Sequence, residues 1–320
     1  MKITLDISKL VEDGKLTPAE AERLTMLASH ETGSLAINVL IGFGVVAIAA
    51  GAVALMPTPL TALGLGIALF VIGCAVVLNR IAQWDLFGQI CLVIGALMFG
   101  GGVVVYGHGS LASSLIVTVA FALAAIAARS SLLTALAVLA AAACLGARTG
   151  YEHAMYSLAI FEPTLTIALF SALALAAYQA AKQLPADYER IALMASRVSI
   201  VLVNFGFWIG SLWGDPLMLL HGLNGDDVRA SSLYAVVPDW AFSVVWALAL
   251  IAAGIWAASV NRRWLVNVAA AFGAIHFYTQ WFEKLGATPA SVLLGGVVML
   301  AIALALWAFN RRPAPAAARP

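Results

Sequence analysis

Charged side chains are scarce in this chain of 320 residues. Asp, Glu, Lys and Arg make up 10% of it, whereas they make up about 25% of a typical soluble domain. So few charges cannot cover the surface of a water-soluble globule of this length. A disordered chain is excluded as well, because such chains are poor in apolar residues and 63% of this chain is hydrophobic. The composition therefore predicts a protein with many membrane-spanning segments.

Cysteine pairs and enzyme motifs are also missing. The three cysteines, Cys74, Cys91 and Cys144, lie in apolar segments without a CxxC pair, which argues against a disulfide framework and a structural zinc site. The sequence contains no HExxH, no GxSxG and no Walker loop. We therefore expect a non-enzymatic protein without catalytic residues, a cofactor or a metal. The net charge of +1 gives no reason to expect nucleic acid as a partner.

Long apolar runs dominate what is present. A helix needs about 20 apolar residues to cross the hydrocarbon core of a bilayer. Ten such runs predict an all-α fold: a polytopic bundle of transmembrane helices over residues 34–309, with the lipid bilayer as its surroundings. The runs cover residues 34–56, 60–79, 86–106, 110–128, 131–147, 158–180, 191–213, 240–258, 264–282 and 290–309.

The basic residues predict the orientation of these helices, because Lys and Arg accumulate in cytoplasmic loops. With the N-terminus in the cytoplasm, most of the 17 Lys and Arg residues fall on the inner side. The inner residues are Lys2, Lys9, Lys15, Arg23, Arg80, Arg129, Lys182, Arg190, Arg262, Arg263, Arg311, Arg312 and Arg319. The outer loops hold Arg148, Arg229 and Lys284. Both termini are therefore predicted to be cytoplasmic.

Residues 1–33 precede the first apolar run and are predicted to form a cytoplasmic helical hairpin. Asp13-Gly14 is a turn signal, and Thr17-Pro18-Ala19-Glu20 is a capping box that starts a helix. The hairpin either packs on the bundle or on a second copy of the chain, which would make a homo-oligomer, or it binds a cytoplasmic protein partner. At the other end, residues 310–320 are predicted to form a disordered cytoplasmic tail.

Two segments resemble a known family. LVEDGKLTPAEAERL, which precedes the glycine- and alanine-rich helices, and NRRWLVNVAAAFGAIHFYTQWFEKLGATPASVLLGG near the end are similar to segments of a bacterial family called domain of unknown function 2157. Together they cover under a third of the chain. The resemblance implies an integral protein of the bacterial inner membrane. It brings no established activity and no catalytic residues.

The longest outer loop covers residues 214–239. His221, Asp226, Asp227 and Asp239 have no recognised metal-ligand spacing, and carboxylates with a histidine are common in solvated loops. Several apolar residues stand near its beginning, so we expect a partly apolar lid on the outer surface.

Polar residues recur along one face of the seventh predicted helix. Arg197, Asn204 and Ser211 follow at heptad spacing, and ionisable or polar groups inside a span are common pointers to function. These residues either line a cavity or serve the structure, with Arg197 reaching toward the inner headgroups. Both interpretations stay open at this point.

Glycines lie on nearly the opposite face of the same helix. Gly206, Gly210 and Gly214 are spaced four apart, and such spacing lets a neighbouring helix approach closely. They are predicted to be helix-packing residues.

Three further polar residues stand near the predicted outer ends of helices. His276 and Gln280 lie four apart on the ninth helix, and Glu162 precedes Pro163 at the start of the sixth. A contact between Glu162 and His276 would suit a proton-linked site, because histidine titrates near neutrality. The sequence does not say whether the two meet, and an interfacial polar residue is the favoured interpretation of each.

Two functions are compatible with these observations. The first is an accessory or scaffolding protein of the inner membrane that binds a partner through residues 1–33. The alternative is a small-molecule transporter whose path is lined by Arg197, Asn204 and His276.

Overall fold

The fold is given by a computed structural model of the chain. It describes residues 11, 16–79, 84–152, 155–217, 236–286 and 288–311. Three expectations lie wholly or partly outside these residues: the first helix of the predicted hairpin, most of the lid with His221, Asp226 and Asp227, and the tail after Arg311.

The described part of the chain contains ten helices of 14 residues or more. Each overlaps one of the ten apolar runs. They are α1 (Pro18–Leu55), α2 (Pro59–Leu78), α3 (Asp85–Tyr106), α4 (Leu111–Ala128), α5 (Ser131–Cys144), α6 (Pro163–Ala181), α7 (Ala186–Trp213), α8 (Asp239–Ser259), α9 (Arg263–Leu285) and α10 (Pro289–Arg311).

Two short strands interrupt the helical pattern between α5 and α6. Strand β1 (Arg148–Glu152) pairs antiparallel with β2 (Met155–Ala159), and Arg148 lies opposite Ala159. The apolar run predicted to start a helix at residue 158 begins instead in β2. The helix starts five residues later, at Pro163, because proline suits the first helical position. Proline also lacks the N–H that a strand continuing to this residue would need.

Six of the helices in the described residues are long and apolar enough to cross a membrane. They cover Pro59–Leu78, Leu86–Tyr106, Leu111–Ala128, Pro163–Ala181, Ala186–Trp213 and Asp239–Ser259. Shorter apolar helices cover Leu40–Leu55, Ser131–Cys144 and Pro289–Leu304. The structure is therefore compatible with a multi-pass membrane protein, and the described residues establish six candidate spans rather than ten.

Helix α1 runs across residue 33, where the cytoplasmic segment was predicted to end. It is one continuous helix of 38 residues, so the second helix of the predicted hairpin runs directly into the first apolar run. Gly33 does not end it, since a glycine inside a helix costs only about 1 kcal/mol relative to alanine. The start agrees with the sequence: the Glu20 amide donates to Thr17 Oγ1 and the Thr17 amide donates to Glu20 Oε2. At the other end of the chain, α10 includes Asn310 and Arg311, which were assigned to the tail.

The chain divides into two compact units, Met1–Val117 and Thr118–Pro320. In the first unit, glycines bring the backbones of α2 and α3 into contact. A Cβ built on Gly95 would lie 2.8 Å from Phe70 Cα, and one built on Gly73 would lie 2.8 Å from Leu92 Cα. Since a larger residue would overlap the opposite backbone, glycine is required at these positions.

The second unit is organised around α7. One cluster of buried residues joins it to α5 and α6: Val138, Ala142, Phe170 and Leu202. Another joins it to α8 and α9: Phe207, Phe242, Trp246 and Phe272. An ion pair of 2.6 Å between Arg129 and Asp187 links the end of α4 to the first turn of α7.

Candidate functional site

A buried hydrogen bond joins α7 to α8. The indole Nε1 of Trp246 donates to Asn204 Oδ1 at 2.9 Å, and Asn204 Nδ2 donates to the carbonyl of Ile200 at 2.8 Å. Trp246 is 1% exposed and Asn204 is 8% exposed. Both ends of the Asn204 amide are thus bonded within the protein, which fixes the orientation of the Trp246 ring.

His276 of α9 also contacts Trp246. Its ring centroid lies 4.8 Å from that of Trp246, with 74° between the ring planes. Phe272, one turn earlier on α9, also lies against Trp246, with centroids 6.5 Å apart. His276 Nδ1 is buried and has no hydrogen-bond partner among the described residues. We call Asn204, Trp246 and His276 the polar–aromatic cluster.

A second hydrogen bond links α7 to α9. Trp208 Nε1 donates to Thr279 Oγ1 at 3.2 Å, and Thr279 Oγ1 donates in turn to the carbonyl of Ile275. Ser211 is buried on the next turn of α7 and donates to the carbonyl of Trp208. The C-terminal half of α7 is therefore tied to two helices by side-chain contacts.

Arg197 is not part of this cluster. Its side chain is exposed, and its guanidinium carbon lies 5.5 Å from the centre of the Trp264 ring at the start of α9. Cation–π attraction of this kind holds an arginine at the surface. The face that the sequence predicts for Arg197, Asn204 and Ser211 thus divides into one exposed cation and two buried hydrogen-bonding side chains.

Glu162 lies at the N-terminus of α6. A second buried carboxylate, that of Asp215, contacts the same end of this helix. Glu162 is 7% exposed and directly precedes Pro163. Asp215 is fully buried: its Oδ2 accepts from the Thr164 amide at 2.7 Å and its Oδ1 from the Leu217 amide at 2.8 Å. Asp215 was not predicted as a site residue, although a Gly-Asp-Pro turn directly after an apolar helix could have signalled it.

Glu162 and His276, the residues proposed for a proton-linked site, have different described surroundings. Glu162 lies beside the N-terminus of α6, and His276 lies against Trp246 in the interface of α8 and α9. Gln280 follows one turn after His276 and is partly buried.

The three glycines of α7 have different surroundings. A Cβ on Gly206 would lie 3.0 Å from Ile167 Cγ1 of α6, whereas one on Gly210 would lie 2.6 Å from the Phe242 ring of α8. Gly214 ends the helix with a φ of 71°, a conformation that favours glycine. The stripe thus provides two close helix contacts and one helix end.

The arrangement is suited to helix association and to proton binding. Among the described residues no group of three His, Cys, Asp or Glu side chains could hold a metal ion. Within the polar–aromatic cluster the imidazole of His276 is the group that can gain a proton near neutral pH.

Comparisons with protein-family models, curated proteins and solved structures find no significant match to the chain. The resemblance to domain of unknown function 2157 therefore stays a prediction from the two segments quoted above.

Proposed function

We propose that the protein is a bacterial inner-membrane protein with ten membrane-spanning helices and both termini in the cytoplasm. In this proposal it acts as a non-enzymatic accessory or scaffolding protein that binds a cytoplasmic partner through its N-terminal segment. The bacterial assignment rests on the segment resemblance, and the orientation rests on the distribution of Lys and Arg.

Packing supports spans beyond the six candidates. Helix α9 contacts α7 at Trp208 and α8 at Trp246, both of which lie within candidate spans. These contacts, at Phe272, His276 and Thr279 of α9, support a position beside the two candidate spans. Helix α5 shares the buried cluster of α6 and α7, and its 14 residues cover about 21 Å, a shortfall that local thinning of the bilayer accommodates.

The length of α1 carries the scaffolding proposal. Its 38 residues extend about 57 Å, and the hydrocarbon core of a bilayer is about 30 Å thick. The apolar part of the helix is Leu40–Leu55. The first half of α1 therefore projects from the membrane as a rigid extension of a membrane helix. A partner bound there would be coupled mechanically to the first unit of the protein.

The projecting end offers polar groups for such a partner. Ala19, Glu20 and Arg23 are exposed, and both signs of charge are present. A mixed polar surface of this kind suits a protein partner better than the acyl chains of lipids.

Photocrosslinking in cells tests this proposal. A crosslinking amino acid at Arg23 of the full-length chain should form a defined adduct with a cytoplasmic protein, because this position projects from the membrane. The matched control is Thr58, which is also exposed but lies in the turn between α1 and α2. If no adduct forms at any of the three positions Ala19, Glu20 and Arg23, partner binding at this end of α1 is refuted.

A second candidate function is a small-molecule transporter with a path beside Arg197, Asn204 and His276. The buried, unpaired Nδ1 of His276 favours it, whereas the complete bonding of Asn204 and the stacking of Arg197 on Trp264 do not. If it is a transporter, His276→Ala and Arg197→Ala should abolish activity in inserted, folded protein. A scaffold should tolerate both substitutions and fail on deletion of residues 1–33.

A further inference from the structure

His276 is partly buried, and its described ring contact is with a neutral aromatic side chain. Its ring packs against Trp246, and Trp246 is held in place by Asn204. Phe272 fills the adjoining turn. A neutral imidazole fits this interface, although its buried Nδ1 is left without a hydrogen bond.

Charged residues on the packed helices are distant from this position. Along α7, α8 and α9 the nearest are Arg197, Asp239 and Glu283, each seven residues from the cluster, or about 10 Å of helix. Helix α10, which packs on α9, carries no charged residue before Arg311. On α7, α8, α9 and α10 no acidic side chain lies within one helical turn of the cluster, so these four helices offer no close counter-ion for a proton on His276.

We propose that His276 is a proton-binding site whose occupation loosens the contact between α8 and α9. An unpaired charge is costly in a dry interface and is stabilised where water reaches it. Proton binding is consequently stronger in a conformation in which the imidazole has separated from Trp246. By linkage, a ligand that binds one conformation more tightly shifts the population toward it. Acidification then favours the loosened interface, and neutral pH favours the packed one.

Attraction between the protonated imidazole and the Trp246 ring opposes this shift. A cation near an indole gains energy, but the gain is smaller than the loss of hydration of an unpaired buried charge. The loosened state is therefore favoured in acid. This inference is independent of the scaffolding proposal, because it concerns the second unit and not α1.

Quenching of Trp246 fluorescence tests the inference on the full-length protein in lipid nanodiscs. The contribution of Trp246 is obtained by subtracting the Trp246→Phe variant, and acrylamide reports how accessible the indole is. As pH falls from about 8 to about 5, a range that includes the titration of an ordinary histidine, quenching of Trp246 should increase in a one-proton step. The step should be lost in His276→Gln.

Two further variants keep the test decisive. His108→Gln changes an exposed histidine in the first unit and should retain the wild-type response. His276→Phe preserves an aromatic contact with Trp246 and should remove the step even if the glutamine variant is poorly folded. The inference is overturned if the wild-type protein has no step, if the His276 variants keep it, or if emission changes without increased quenching.

Discussion

The hydrogen bond between Trp246 and Asn204 illustrates how polar side chains are used inside this protein. In a membrane, an indole N–H without a partner has no water to bond with, so a buried acceptor is needed. Asn204 supplies that acceptor while its own N–H group bonds to the carbonyl of Ile200. The residue therefore works as a connection between helices α7 and α8.

Replacing Asn204 with leucine should destabilise the second unit by about 1–2 kcal/mol, because Trp246 Nε1 would be left buried and unpaired. The measurement is the unfolding midpoint in a denaturing detergent titration. Gln183→Ala, which removes an exposed amide, is the control and should have no effect. If the account is correct, Asn204→Leu costs less in a Trp246→Phe background; equal costs in both backgrounds would exclude an energetic link between the two residues.

The effect of replacing Gly210 depends on the space that its neighbours leave for a side chain. An added Cβ would lie 2.6 Å from the Phe242 ring, so Gly210→Ala should destabilise the protein by about 1–3 kcal/mol. The control is Gly273→Ala on α9, where nothing lies within 4 Å of the added carbon. The control should be neutral or stabilising by up to about 1 kcal/mol, owing to the higher helix propensity of alanine. Equal unfolding midpoints for both variants would contradict the close approach of α8.

At the scale of elements, α2 and α3 form the closest helix pair of the first unit. Their glycines recur at intervals of seven: Gly66 and Gly73 on α2, and Gly88, Gly95 and Gly102 on α3. This period is visible in the sequence but was not predicted, because close helix packing was expected at glycines four apart. A period of seven keeps the glycines in one seam between the two helices.

Gly95→Ala tests this seam. The added Cβ would meet the backbone of α2, which cannot move aside as a side chain can, so we expect a loss of about 2–3 kcal/mol. Gly101→Ala on the same helix has open space around it and should not destabilise the protein. Both variants can be compared by thermal unfolding in detergent. A stable Gly95→Ala protein would refute contact between these backbones.

The start of α1 should respond to pH. Hydrogen bonds from the Thr17 hydroxyl, and then from the Thr17 amide, hold the pKa of Glu20 below its ordinary value of 4.5. Because the pKa is lower in the helix than in the unfolded chain, the stabilisation is complete above about pH 4.5 and is lost as the pH falls through the folded value. Amide hydrogen exchange in the first turn of α1 should therefore lose protection in acid.

Glu20→Gln provides the control for this pH effect. Glutamine can also complete a capping box but does not ionise. First-turn protection in the Glu20→Gln variant should be independent of pH across the same range. Protection that is lost in acid to the same extent in both proteins would show that Glu20 is not its source.

Individual helices could be predicted from the sequence, but their neighbours could not. The apolar runs and the Thr17–Glu20 capping box located helices because both signals are local. Arg197 was placed with Asn204 because heptad spacing puts them on one face. Trp264, which holds Arg197 at the surface, lies on another helix, and a single sequence does not indicate which helices pack together. The same reason explains why the contact of His276 with Trp246 was missed.

At the scale of the whole molecule, the scarcity of charge explains both what could be predicted and what could not. With 10% charged residues, the few charges that remain carry information about orientation. They say little about activity, because buried polar groups such as Asn204 and Ser211 bond between or within helices. The central proposal is one of topology: ten spans, with α1, α5, α9 and α10 crossing in addition to the six candidate spans.

Side-specific labelling of single cysteines tests this claim most directly. In a variant lacking Cys74, Cys91 and Cys144, a cysteine is introduced at Ser110, Ser130 or Thr288 and is exposed to an impermeant maleimide on intact cells. Ten spans with both termini inside predict that positions 110 and 288 are labelled from outside and that position 130 is labelled only after lysis. If only the six candidate spans cross, position 288 would lie inside with the C-terminus. Protection of position 288 in intact cells, together with labelling after lysis, would therefore contradict the account.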